Sequence, residues 1–367
     1  MSDADLVLAE VDRFARREIE PRVERPERPI GADEVAAVIG AADALGLAGS
    51  DDEPSGLGLW EDVGGAQTLA ILRRLGRASA AIALALHQRA LARAIARRVG
   101  IAAPSPLLAI AWGRHGLGRD AAARMLAGAP LATDDVDLLA AVWARDVPRV
   151  ITSDDRWAAI ALPVIAADGT LAWEVWPRAS VVVTPAPHAH GLDELVTATI
   201  APRAAPSLRA DGATAHAVWA FALAATALGH VAIACGAVEH GYSLARAYAA
   251  HRVQGGGPID RHDAVRLLLA RGSTALDTSF AAALAAAARD DGPAATIAAF
   301  GARAEAMPAL AAAANDALQA FGGLGYMRDT GAEKVVRDVN HLRALGGSPG
   351  ELALIISEWE RLHARAA

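Results

Sequence analysis

Apolar residues recur every three or four positions through most of the first hundred residues, the spacing of helices that bury one face. The first stripe is Val7, Val11 and Phe14, with a capping pair, Ser2 and Asp5, ahead of it and Pro21 closing it. Further helices are predicted at 33–45, 65–75 and 80–98, and the Gly- and Asp-rich stretch GSDDEPSGLGL after the first of these carries no periodicity. Between about 106 and 207 the period changes. WAAIALPVIAADGTLAWEVW predicts two strands around a turn at Asp168-Gly169, with Leu171, Trp173 and Val175 alternating against Thr170, Ala172 and Glu174. SVVVTP and ELVTATIAP predict further short strands bounded by prolines. Helical spacing returns near 208 and gives helices at 213–252, 260–289, 293–321 and 350–366. Leu310, Ala314, Leu318 and Phe321 line one face of the third of these, which delivers the chain into FGGLGY.

The order helices, strands, helices predicts a mainly α protein with a small β domain. Its parts are an N-terminal helical domain over 1–105, a middle antiparallel β domain over 106–208 and a C-terminal helical domain over 209–367. A chain of 367 residues is long for one hydrophobic core, which agrees with that division. Composition adds that the chain is globular, at 53% hydrophobic and 21% charged residues. The net charge of -7, with scattered basic residues, argues against nucleic acid as a partner. Cys235 is the single cysteine, so neither an internal disulfide nor a cysteine-based zinc cluster is expected, and it reads as a small buried hydrophobe. With no secretory signal evident at the N-terminus, the expected location is cytoplasmic. Residues 214–238 carry no Asp, Glu, Lys or Arg and are long enough to span a bilayer. They read instead as a buried helix, being Ala-rich, containing His216 and His230, and lacking a second span or a basic flank.

Two segments carry candidate chemistry. AHRVQGGGPID, residues 250–260, places Arg252 beside a glycine loop, where a permanently charged forked donor suits a phosphate. DALQAFGGLGYMRD, residues 316–329, places Gln319 one turn before Gly322, Gly323 and Gly325, whose backbone admits close approach of a flat or phosphorylated ligand. HGLDEL, the HAH at 188–190 and the RHD around His262 lack metal-ligand geometry, so no metal site is expected.

Arg252 and Gln319 stand 67 positions apart (319 − 252), and in this order their segments resemble the C-terminal domain of acyl-CoA dehydrogenases. In that family an arginine in R-x-Q-F-G and a glutamine before a double glycine contact the pyrophosphate and adenosine part of FAD across a subunit interface. Arg252, Gln254 and Gly256 match the first motif, with Gly255 replacing its aromatic residue, and Gln319, Gly322, Gly323 and Gly325 match the second. The resemblance continues into AEKVVRDVNHLRALGG, with Glu333, Lys334, Arg337 and Asp338 in place, and into ADALGLAGS near the N-terminus. It implies a C-terminal four-helix bundle, FAD as cofactor and an acyl-CoA or carrier-bound acyl thioester as substrate.

Departures from the family pattern concern the chemical end. The family's catalytic glutamate follows the arginine of the R-D pair by nine residues, and that position is Gly346. Members that keep the base on an earlier helix place it twenty-six residues before the position of Arg252, where this chain has Thr226, followed by Ala227 instead of an arginine. Substitute candidates for a base are His341 and Glu351. The family's T-E-P-x-x-G-S-D loop and W-I-T strand cradle the flavin ring. LATDDVDLLAAVWARDVPRVITS lacks the first and keeps only Ile151 and Thr152 of the second, which leaves Thr152 as a flavin-contact candidate. The implied function is an FAD-binding, acyl-CoA dehydrogenase-like oxidoreductase. It would act as a homo-oligomer with a displaced base, or as the base-less companion subunit of a hetero-oligomeric dehydrogenase. Rival readings are a non-catalytic helical scaffold and a flavin-dependent monooxygenase of the same fold.

Overall fold

A computed structural model describes residues 3–47, 57–102, 105–112, 119–129, 131, 133–143, 145, 147–165, 169–290 and 292–366. The chain opens with helices α1 (Asp3–Phe14), α2 (Glu20–Val23), α3 (Ala32–Ala44), α4 (Gly65–Ala78) and α5 (Ala80–Val99). A π-turn at Ala15–Ile19 joins α1 to α2, so the chain stays helical through Pro21 instead of ending there. Pro21 falls in the first turn of α2, where a missing N–H costs nothing. The Ser2 cap, residues 49–56 of the glycine-rich loop and Asp168 of the expected turn lie outside the described residues.

The middle of the chain holds β1 (Leu107–Ala109), α6 (Arg119–Ala127), α7 (Thr133–Trp143), β2 (Arg149–Ser153), β3 (Ala159–Ile165), β4 (Leu171–Pro177), β5 (Val181–Pro185), β6 (Val196–Pro202) and β7 (Leu208–Asp211). It departs from the expected antiparallel sheet in two ways. Two helices interrupt it, and the strands form two sheets, β1-β3-β4-β7 and β2-β6-β5, with β1 parallel to β3 and the other pairs antiparallel. The sheets face each other through Leu108, Ile160, Leu162 and Trp176 from one and Ile151, Val181, Ala198 and Ile200 from the other. The opposite face of β4 meets the helices, where Trp173 Nε1 donates to the Ala215 carbonyl at 3.2 Å. Both faces of β4 are therefore covered, and the alternation read in it does not mark a solvent side. Glu174 is fully buried and receives Arg145 Nε at 2.9 Å and Arg209 Nη1 at 2.9 Å, as a buried carboxylate requires.

The remaining helices are α8 (Ala213–His251), α9 (Asp263–Ala287), α10 (Pro293–Ala320), α11 (Ala332–Ala344) and α12 (Pro349–Ala366), with a short hairpin, β8 (Val253–Gln254) and β9 (Gly257–Pro258), after α8. The four helices α8 to α11 pack on one another, and α8 also lies against α4 and α5. The charge-free stretch of α8 is core, with 89% of its most apolar window buried, and Cys235 within it is inaccessible, its thiol pushed up to about 12 by burial. Leu310, Ala314, Leu318 and Phe321 are all buried on one face of α10.

Helices α4 and α8 approach so closely that glycine is required on both. A Cβ on Gly236 would lie 2.1 Å from the Arg73 carbonyl oxygen, and one on Gly76 would lie 2.5 Å from the Ile233 carbonyl oxygen. Gly236→Ala is therefore expected to lower stability by about 3 kcal/mol, the upper end of ordinary overpacking. Gly40→Ala, on α3 with no atom within 4 Å of the new methyl, is expected to raise it by about 0.5–1 kcal/mol through helix propensity. Urea denaturation of the two variants checks both, and an unperturbed Gly236→Ala contradicts the contact.

Candidate functional site

The C-terminal end of α8 and the C-terminal end of α10 meet through their aromatic rings. Tyr248 stacks on Phe321, with centroids 4.7 Å apart and planes 24° from parallel. Just beyond Tyr248 the chain turns out as Arg252 and the β8-β9 hairpin, whose two-residue turn is Gly255 (φ +61°) and Gly256 (φ +90°). Positive φ at both turn positions is what a tight right-twisted hairpin demands, which accounts for glycine at 255. Beyond Phe321 the chain folds into a 3₁₀ turn, Gly322–Tyr326, where a Cβ on Gly325 would lie 2.5 Å from the Leu318 carbonyl oxygen.

These segments enclose a crevice of about 730 Å³ lined by Tyr248, Arg252, Gln254, Gln319, Gly322 and Gly323. The side chains of Arg252 and Gln319 are exposed there and make no ion pair or hydrogen bond among the described residues. Gly322 has φ +60°, and Gly323 has open space where a side chain would stand. A guanidinium, an amide and bare glycine backbone around one opening form a donor set that fits a dinucleotide's phosphates. All five C-terminal cofactor candidates thus share one crevice.

Thr152, His341, Gly346 and Glu351 line a second cavity of about 440 Å³, walled by α5, α8, the end of α11, residues 108–112 and β2. Gly346 and Thr226 converge in it. A Cβ on Gly346 (φ +71°) would lie 3.3 Å from Thr226 Cγ2 and 3.1 Å from Trp112 Nε1, and one on Gly347 would lie 2.5 Å from Trp112 Cζ3. The Trp112 indole therefore covers both glycines, and Gly346 and Thr226 face one another beside it.

His341 is tied into the fold. Its Nδ1 lies 2.7 Å from the Gly191 carbonyl oxygen and its Nε2 lies 3.1 Å from the Thr152 hydroxyl. That hydroxyl also lies 2.9 Å from Thr197 Oγ1, so its bonding is filled by protein. Burial lowers the His341 pKa, and the ring is a neutral brace between α11 and the β2-β6-β5 sheet. Glu351 sits in the first turn of α12, with its backbone N–H 3.2 Å from Ser348 Oγ, at the edge of the cavity. Residues 133–143 form α7, packed on β3, and residues 108–112 line the cavity.

Four residues of the wall escaped the sequence reading as site residues: His87 and Gln88 on α5, Trp112, and His230 on α8. His87 Nδ1 accepts from Trp60 Nε1 at 2.9 Å, and burial pushes its pKa down to about 3. His230 is also held well below the ordinary range, first by burial and then by the buried Arg303 guanidinium and His87. The two imidazoles stand edge to face with centroids 5.9 Å apart. Their only signal in the sequence is polarity inside otherwise apolar helices.

Residues 216–360 match the family described as acyl-CoA dehydrogenase, C-terminal domain. The match spans most of helices α8 to α12. Solved structures of the acyl-CoA dehydrogenase fold match nearly end to end. Glutaryl-CoA dehydrogenase from Mycobacterium smegmatis is similar at 16% identity and TM-score 0.76, covering 99% of this chain and 95% of that one. Butyryl-CoA dehydrogenase from Megasphaera elsdenii is similar at 15% identity and TM-score 0.74, covering 97% and 98%. The prolyl acyl carrier protein oxidase AnaB is similar at 14% identity and TM-score 0.75, covering 98% and 99%. No curated protein sequence matches the chain.

His87 yields a pH prediction. Between pH 6.5 and about 3 the unfolded chain binds a proton on this ring and the folded chain does not. Stability must therefore fall on acidification through that window, with a slope approaching about 1.4 kcal/mol per pH unit from this group. Urea midpoints at pH 7 and pH 5 are expected to drop further for the native chain than for His87→Gln; equal drops would contradict a neutral buried ring.

Proposed function

We propose that the chain is an FAD-binding subunit of an acyl-thioester dehydrogenase, contributing the crevice of Arg252, Gln254 and Gln319 to flavin held at a neighbouring subunit. The observation that carries this reading is a separation along α8. Thr226 in the inner cavity and Arg252 at the outer crevice are twenty-six residues apart on one continuous helix and its cap, about 39 Å at the usual rise. One FAD does not reach that far, so the crevice suits the dinucleotide of a second subunit. Exposed Val253, Leu324, Tyr326 and Met327 beside the crevice add an apolar surface of the kind that subunits cover.

Bound flavin supplies the hydride acceptor, as cofactors of this kind do. Arg252 pairs with phosphate, Gln319 donates and accepts at its amide, and Gly322 and Gly323 let backbone N–H groups come close. In the inner cavity neither Gly346 nor Thr226 can take a proton from an acyl α-carbon, and His341 is committed to Gly191 and Thr152. That pattern favours the base-less companion of a hetero-oligomeric dehydrogenase, whose partner holds the proton acceptor. Glu351, the single carboxylate among the residues lining the cavity, supports the second reading, a homo-oligomer with a displaced base.

Co-expression with an acyl-CoA dehydrogenase-like partner, followed by an absorption spectrum and the mass of the complex, tests this. A yellow hetero-oligomer is expected, and flavin reduction by an acyl-CoA in the protein purified alone would overturn the companion role. Arg252→Ala and Gln319→Ala are each expected to weaken FAD retention, the arginine by about 1.5–3 kcal/mol, or roughly ten- to a hundredfold. Unchanged FAD occupancy in both variants would remove the assigned contacts.

A further inference from the structure

The inner cavity runs from an exposed rim to a buried end. Val150 and Ser348 line it and are exposed, whereas His87 and His230 line it and are buried. Leu91, Leu108 and Ile151 make much of the remaining wall aliphatic, and no Lys or Arg is among the lining residues. A lining of this kind suits a hydrocarbon chain that enters from the rim.

His87 makes the closed end. Its imidazole crosses from α5 to α8 at Gly229, where an added Cβ would lie 2.5 Å from both Cε1 and Nε2. The missing side chain at 229 is therefore what lets the ring seat against the α8 backbone. Trp60 holds the ring's other nitrogen, its Nε1 donating to Nδ1 at 2.9 Å, and is itself anchored by a 3.3 Å bond from its backbone N–H to the buried Thr68 hydroxyl. His230 stands edge to face with the ring, so His87 is clamped by three neighbours and has little room to swing aside. On its far side Trp60 lines a separate cavity of about 260 Å³ with Phe221, Ala224 and Leu228. The His87–Trp60 pair is thus a partition between two cavities.

The depth above the partition is short. Thr226 lies level with Gly346, whose added Cβ would be 3.3 Å from Thr226 Cγ2. His230 follows Thr226 by four residues on α8, about 6 Å at the usual rise. An extended carbon chain advances about 1.2 Å per bond, so roughly five bonds fit between that level and the floor.

We infer that the inner cavity takes the short aliphatic tail of an acyl thioester, of about four to six carbons, and that His87 is the residue that sets the limit. This deepens the acyl-thioester reading above and rests on it. A longer straight chain has to push the imidazole off Gly229 and Trp60, or leave its end in water, and either forfeits the burial that extra methylenes bring elsewhere.

Calorimetric titration of the purified full-length protein with butyryl-CoA, hexanoyl-CoA and dodecanoyl-CoA tests the inference. The tighter-binding of the two short esters is expected to bind about tenfold or more tightly than dodecanoyl-CoA, the reverse of the roughly fourfold gain per buried methylene that an open tunnel gives. In His87→Ala, and in His87→Ser as a second small replacement, the affinity of dodecanoyl-CoA relative to hexanoyl-CoA is expected to rise about tenfold or more. Dodecanoyl-CoA binding the native protein as tightly as hexanoyl-CoA, or a ratio unmoved in a folded His87 variant, overturns the inference while leaving the thioester reading intact; the native series decides by itself if neither variant folds. Failure of every ester to bind removes the thioester reading itself, and this inference with it.

Discussion

The close approach of α8 to α4, made by Gly76 and Gly236, is the constraint on which the positions of both cavities depend. A helix buried over most of its length has little room to slide, since interiors are packed to crystal density and a single methyl at either glycine meets a carbonyl. Held there, α8 presents Thr226 and His230 to the inner cavity and delivers Tyr248 and Arg252 to the outer crevice. Stacking of Tyr248 on Phe321 then brings the end of α10, and with it Gln319 and the glycine turn, to the same opening.

The two cavities differ in what they can do. The outer one is open, with the exposed side chains of Arg252 and Gln319 making no ion pair or hydrogen bond among the described residues. The inner one is lined by Trp112, with Gly346 and Thr226 meeting beside it.

Much of the fold was legible because local signals agreed with it. Helical periodicity located α3, α4, α5, α9, α10 and α12 to within a few residues, and absence of charge in α8 reported burial that the structure bears out. The errors have physical causes. Pro21 sits in a first turn created by a π-turn that no propensity announces. Alternation in β4 marks no solvent side, because the second sheet covers one face and α8 the other. Helices α6 and α7 were missed among the short apolar runs, where strand and helix periods are hardest to separate.

The sequence by itself set residue type, and residue type alone says that Gly346 and Thr226 are not proton acceptors at neutral pH. It also set the order helices, strands, helices, because periodicity is local. Only the tertiary structure decided that Arg252 and Gln319 share a crevice, that Gly346 faces Thr226 beneath Trp112, and that His341 and Thr152 satisfy one another. The same holds for His87 and His230, which read as isolated polar residues in apolar helices until packing set their rings 5.9 Å apart. Proximity between residues far apart in the chain exists only once the helices have packed.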